Sequence, residues 1–263
     1  MVIGKVWRSL PHDKASLKGS IMIRTLLLSG VASFAIVACG AEPAVPQETT
    51  QQPVETTEAI EKATPTAGFA DIEAVAGEYE LEVTHAYLAA YVGHGNGLSR
   101  YQINFTDLSA SLNFDPANVE AASLSFTVNA MGVETNYSGD YKAGHAESGF
   151  ETWNEDISRD KKWLNANEHP TASFVSTGAS RTGNNTGTLT GDLTLLGQTH
   201  SVTFDVTYNG SGTSRRSKKP LLGFDATTTI NRSEWGMGAF APVISDDVRL
   251  DFSGEFIGLE SVE

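Results

Sequence analysis

The 263-residue chain holds one cysteine, Cys39. That excludes an internal disulfide and a cysteine-based zinc site. Basic residues are also scarce, with 18 Lys and Arg against 32 Asp and Glu and a net charge of −14. Nucleic acids and anionic surfaces bound through a basic patch are therefore poor partners. The one basic cluster, "SRRSKKP" ending at Pro220, lies between two strand candidates and reads as a solvated loop. Long apolar runs are missing as well. The longest, Leu26 to Val37, falls short of the roughly 20 residues a membrane helix needs.

What that short run does have is a setting. Arg24 precedes it, small residues end it, and the layout is that of a secretory signal. Ile36-Val37-Ala38-Cys39 resembles a bacterial lipobox, in which cleavage before the cysteine frees it for acylation. Residues 1–38 are thus expected to be a signal peptide, with Met22 an alternative start. Cys39 is the expected lipidation site, and through it the membrane is a partner. Gly40 leans toward outer-membrane sorting of a periplasmic lipoprotein. Residues 39–70, rich in Pro, Thr, Glu and Gln, form an expected disordered tether. Beyond Cys39 the balance is 13 basic against 31 acidic residues.

Residues 77–258 are one domain's worth of chain, and they alternate at period two. "HSVTFDVTY" puts His200, Val202, Phe204, Val206 and Tyr208 on one face. "FDATTTI" groups Phe224, Ala226, Thr228 and Ile230, and "VRLDFSGEF" groups Val248, Leu250, Phe252 and Phe256. "YELEVTH" is expected to align Tyr79, Leu81, Val83 and His85. Turn signals at 93–97, 115–118, 182–187 and 196–199 separate the runs. Eight to ten antiparallel strands with one wet face follow. One short helix is expected within "FETWNEDISRDKKWLNANEHP", capped by Asn154, with Ile157, Lys161 and Leu164 on one side and Pro170 as its stop. Sandwich and barrel fit the alternation equally well.

Four stretches carry a resemblance: "KWLNANEHPTASFVST" (162–177), "GTLTGDLTLLGQTHSVTFDVTYNG" (187–210), "LGFDATTTINRSEWGM" (222–237) and "ISDDVRLDFSGEF" (244–256). With "GEYELEVTHAYLAAYVGHGNG" (77–97), they resemble in order and spacing the YceI family of bacterial exported, polyisoprenoid- or lipid-binding proteins. The resemblance implies an all-β fold, a lipocalin-like antiparallel eight-stranded β-barrel with one short helix near its mouth. It also implies a hydrophobic cavity for an isoprenoid, a quinone or a fatty-acyl chain, with no cofactor, no metal and no catalysis. Candidate cavity residues are Leu88, Ala90, Val92 and His94 from "LAAYVGH", the phenylalanines Phe105, Phe126, Phe174, Phe204 and Phe224, and Ile230, with Trp163 at a covering helix. The family often carries a ring where Ala90 stands, so Ala90 is expected to enlarge the pocket. Ala86 and Ser99 are further departures.

Two other readings compete. An enzyme on this scaffold would need His85 or His94 beside a carboxylate in the pocket. A protein-interaction module would have a filled barrel and use its acidic outside. His85 and His94 are as readily barrel histidines satisfied by their surroundings, and Arg232 is as readily an end-closing group, paired with Glu234 or Asp246, as a head-group contact. The oligomeric state is open. If the lipobox reading holds, Cys39→Ala releases the protein into the soluble periplasmic fraction or leaves an uncleaved precursor. A processed variant still in the membrane fraction would count against it.

Overall fold

The computed structural model describes residues 70–260; the expected signal peptide, Cys39 and the tether, apart from its last residue Ala70, lie outside the described residues. Ten strands run β1 Gly77–His94, β2 Ser99–Phe105, β3 Leu108–Phe114, β4 Ser123–Asn129 and β5 Val133–Glu134, then β6 Thr171–Arg181, β7 Thr186–Leu195, β8 Gln198–Thr213, β9 Pro220–Asn231 and β10 Ile244–Gly258. All pairings are antiparallel, and β10 closes on β1. β2 and β3 both pair with β1, and β5 and β4 pair in turn with β2 and β3. Across the break, Thr106 N donates to Gly132 O (2.8 Å) and Asn129 N donates to Asp107 O (3.0 Å). The ten strands are therefore eight staves of an up-and-down barrel, two of them kinked.

Local chemistry explains the joints. The β7–β8 turn places Leu196 at φ 51° and Gly197 at φ 73°. Both signs are those of a type I′ turn, whose twist matches the flanking strands. On the wet face, threonine hydroxyls bridge these strands, Thr190 to Thr203 and Thr194 to Thr199, each at 2.8 Å.

One expected alternation is broken. Glu82 opposes Glu255 while Ala86 opposes Gly254, so Val83, Thr84 and His85 form a bulge. Three extra residues switch the inward set from odd to even positions. Tyr79 and Leu81 are buried, whereas Val83 is 57% exposed and His85 lies on the outside. His85 Nδ1 meets Glu82 and sits 3.9 Å from Glu255.

The expected helix is present but shorter, α2 at Trp153–Arg159, preceded by a single turn, α1, at Tyr141–Gly144. Its cap is Thr152, whose hydroxyl accepts from Glu155 N (3.1 Å), not Asn154. The Asn154 carbonyl oxygen instead accepts from the Thr135 amide (3.0 Å) and hydroxyl (2.7 Å), tying α2 to the end of β5. The helix ends eleven positions before Pro170, so Lys161 is outside it and exposed; Ile157 and Leu164 are buried as expected. Pro170 instead leads into β6, its carbonyl accepting from Ala130 N (2.8 Å).

This 135–170 connection and the segment after β9 fill one end of the barrel. There Trp163, Leu164, Trp235 and Met237 join Phe174, Leu193, Val202 and Ile230 in one buried cluster. Arg232, 3% exposed, holds the end shut. Its Nε donates to Ser245 O (2.8 Å), one terminal nitrogen to Met237 O, and the other to Ala239 O (2.8 Å) and Ile244 O (3.0 Å). The guanidinium carbon lies 5.8 Å from the Trp163 ring centre. Neither Glu234 nor Asp246 is its hydrogen-bond partner. Asp246 accepts from Ser233 N (2.9 Å) and Oγ (2.6 Å), which holds its carboxyl below the usual range. Burial lowers the Arg232 pKa.

A lysine in place of Arg232 would deliver one compact charge where a fork now serves four carbonyls. Arg232→Lys is expected to cost about 2–4 kcal/mol, because each stranded buried acceptor costs about 1–3 kcal/mol. Urea denaturation measures this; a midpoint within error of wild type would contradict the assigned role.

Candidate functional site

The other half of the barrel is not filled. A cavity of about 190 Å³ runs through it, with an almost wholly apolar wall. Phe126, Phe204, Val206, Phe224, Leu250 and Phe252 point inward yet remain only half-buried. In a packed core such side chains would lose nearly all contact with solvent. Here their exposure comes from the space they surround.

The wall is built mainly from alternating positions of β3, β4 and β6–β10, with Leu88 of β1. Rings brace it from several sides. Phe126 meets Phe252 edge-on at 5.5 Å, Phe174 meets Phe204 at 5.2 Å, and Phe114 meets Phe224 at 5.8 Å. Edge-to-face pairing of this kind holds rings apart as well as together. The cavity extends to the barrel end opposite Arg232, where Ile72, Val119 and Ala122 meet the β6–β7 turn. Polar wall residues gather there: Ser180, Arg181, Asn184, Asn185 and Thr186. Arg181 Nε donates to Gly183 O (3.0 Å), and a terminal nitrogen donates to Ala70 O and Asn184 O.

Of the candidates, Leu88, Phe126, Phe174, Phe204 and Phe224 are in the wall. Ala90, Val92, His94, Phe105, Trp163 and Ile230 are not. Ala90 is 6% exposed, between Ile103 and Leu250, so its small side chain is matched by its neighbours and opens no pocket. Ile230 and Trp163 belong to the closed end; Trp163 packs on Arg232 and on Phe240 (5.8 Å), so the helix region covers the filled end and not the mouth. His94 is exposed at the end of β1, and among the described residues no histidine lines the cavity. Tyr208, Val206, Leu250, Phe252 and Phe256 were legible as inward residues through the same alternation. Ile72 was not, since it precedes the first strand.

Outside the cavity, the densest polar cluster sits beside α2. The Tyr141 hydroxyl donates to the buried Asp156 carboxylate, and burial followed by that bond raises its pKa to about 12. Lys162 pairs with Asp160 and lies 3.5 Å from Asp156. His145 stacks on the Tyr141 ring at 4.5 Å. With Lys162 shared between the two carboxylates and the Tyr141 hydroxyl donating to Asp156, the cluster anchors the connection over the closed end. Among the described residues, no group of three or more His, Cys, Asp or Glu could hold a metal ion.

The two halves make a matched pair of substitutions informative. Ala90→Trp overfills packed space and is expected to cost about 1–3 kcal/mol or more. Ala226→Trp, directed into the cavity, should cost much less. Thermal melting of both variants tests the boundary; equal losses would mean that the cavity half is packed after all.

The comparisons with known proteins agree with this geometry. The YceI-like domain model matches residues 79–256. A UPF0312 protein of Pseudomonas putida F1 is 31% identical over 188 residues, spanning 68% of this chain and 88% of that protein. One of Ectopseudomonas mendocina is 32% identical over 191 residues, spanning 70% and 90%. Among solved structures, Burkholderia cenocepacia BcnA is similar at a TM-score of 0.53 and 22% identity, covering 66% of this chain and 98% of that one. A Campylobacter jejuni YCEI protein is similar at 0.51 and 24%, covering 62% and 88%. These two likenesses concern the fold. The eight-staved barrel and the match across nearly all of it lead to one conclusion: the chain belongs to the YceI-like domain family.

Proposed function

We propose that this protein sequesters or carries a long-chain amphiphile, an isoprenoid, quinone or fatty-acyl lipid, with the tail inside the barrel and the head at the open end. The observation that carries the reading is the inward-facing apolar wall, whose Phe126, Phe204, Val206, Phe224, Leu250 and Phe252 stay only partly buried. Burying one methylene in such a wall gains about 0.8 kcal/mol, so a five-carbon isoprene unit gains about 4 kcal/mol before association costs. The polar residues at the open end, Ser180, Asn184 and Asn185 among them, suit a head group that stays hydrated. The protein acts as a binding module and not as an enzyme: the histidines that a catalytic reading would use lie outside the cavity. The filled-barrel reading is disfavoured by the same half-exposed rings. Acylated at Cys39, the protein would work beside the bilayer from which such a ligand comes, in the periplasm and on the outer membrane.

The test is to purify the protein from its native envelope, extract it with organic solvent and identify what comes out by mass spectrometry. Wild type should release a long-chain amphiphile in near-stoichiometric amount, and Ala226→Trp much less. Lipid-free wild type that also takes up no added prenol, quinone or fatty acid would end the proposal.

A further inference from the structure

Residues 70–76 cross the open end. The chain comes in beside the β6–β7 turn, where Ala70 N donates to Asn184 Oδ1 (3.1 Å) and Ala70 O accepts from Arg181. It passes β8, where the Tyr208 hydroxyl (3.2 Å) and the Ser211 hydroxyl both donate to Glu73 O. It then enters β1 at Gly77. Around the ring, β7 and β6 stand four and five staves from β1 by way of β10, so the segment spans the opening close to its diameter. Ala74 N donates back to Ile72 O (3.1 Å), forming a three-residue turn. Beside that turn, the Ile72 side chain reaches the cavity wall.

We infer that residues 70–76 are a strap that gates the cavity, with Ile72 as its stopper. The inference rests on the cavity being a ligand site. Among the described residues the strap has no strand partner, and side chains at Asn184, Arg181, Tyr208, Ser211 and Tyr79 hold it by its backbone. Each such bond is worth a factor of about five in an equilibrium. Ordering seven residues opposes them, so the closed form is favoured only modestly. A segment held this way opens without disturbing the barrel ladder, and Gly77, at φ 157°, gives it a pivot that side-chain-bearing residues rarely adopt. The strap lies before the residues matched to the family, 79–256.

The gate makes a kinetic claim that a mere wall contact does not. A stopper slows entry and exit together, whereas a wall contact changes exit alone. The experiment follows N-phenyl-1-naphthylamine fluorescence by stopped flow with the full chain, comparing wild type, Ile72→Ser, the double variant Tyr208→Phe/Ser211→Ala, and Ala226→Trp. Ile72→Ser and the double variant are expected to raise association and dissociation rates alike, the double variant by roughly 25-fold at about fivefold for each of its two lost hydrogen bonds, with the ratio of the rates changing far less. The double variant leaves every apolar surface in place, so it separates strap release from loss of Ile72. If the probe binds wild type and Ala226→Trp weakens it, but neither strap variant changes the association rate, the gate is overturned and the ligand site stands. If the probe does not bind wild type, or binds Ala226→Trp equally well, the ligand site falls and the gate falls with it.

Discussion

The structure depends on one closure, the pairing of β10 with β1. Without it, the sheet would have two free edges and an apolar face open to water. With it, every inward side chain must share the bore of an eight-staved ring. The two ends meet that demand differently. At one end, chain that is not part of the ring folds inward, bringing Trp163, Trp235 and Met237 against the strand residues, and Arg232 satisfies the carbonyls that this folding turns toward the interior. At the other end the thin 70–76 segment and the short β3–β4 connection around Val119 arrive, and the bore stays partly empty.

This division explains how two opposed readings of the alternation could each hold somewhere. A filled barrel describes the half around Ala90 and Ile230. A hollow one describes the half around Phe204, Phe224 and Phe252. Alternation reports which face a residue takes, and it did so well for β8, β9 and β10. It carries no information on how far along the bore a residue sits, because that depends on stagger between staves and on what plugs the ends. Hence Leu88 is in the wall while Ala90, two residues on, is not.

The remaining differences have local causes. Tyr79, Leu81, Val83 and His85 look like one face until three bulged residues change the phase. Asn154 looks like a cap, but its amide is taken by Thr135, and Thr152 does the capping. Arg232 looks like half of an ion pair, yet four backbone carbonyls surround it. Such arrangements are set by residues far away in sequence, and a linear pattern does not show them. Ile72 is the clearest instance. Nothing in its neighbourhood marks it, and it joins the cavity only because the chain happens to enter across the barrel end.

The bulge in β1 carries a consequence of its own. Upstream of Val83 the inward residues are odd-numbered, and downstream they are even, so this strand counts in parity. Deleting or inserting a single residue there would not shift the strand slightly. It would turn one whole flank inside out, sending either Tyr79 and Leu81 or Leu88 and Ala90 into water. A change of two residues would restore the phase and lengthen or shorten only the outer loop of the bulge. Length variation at this point of the fold should therefore come in even steps.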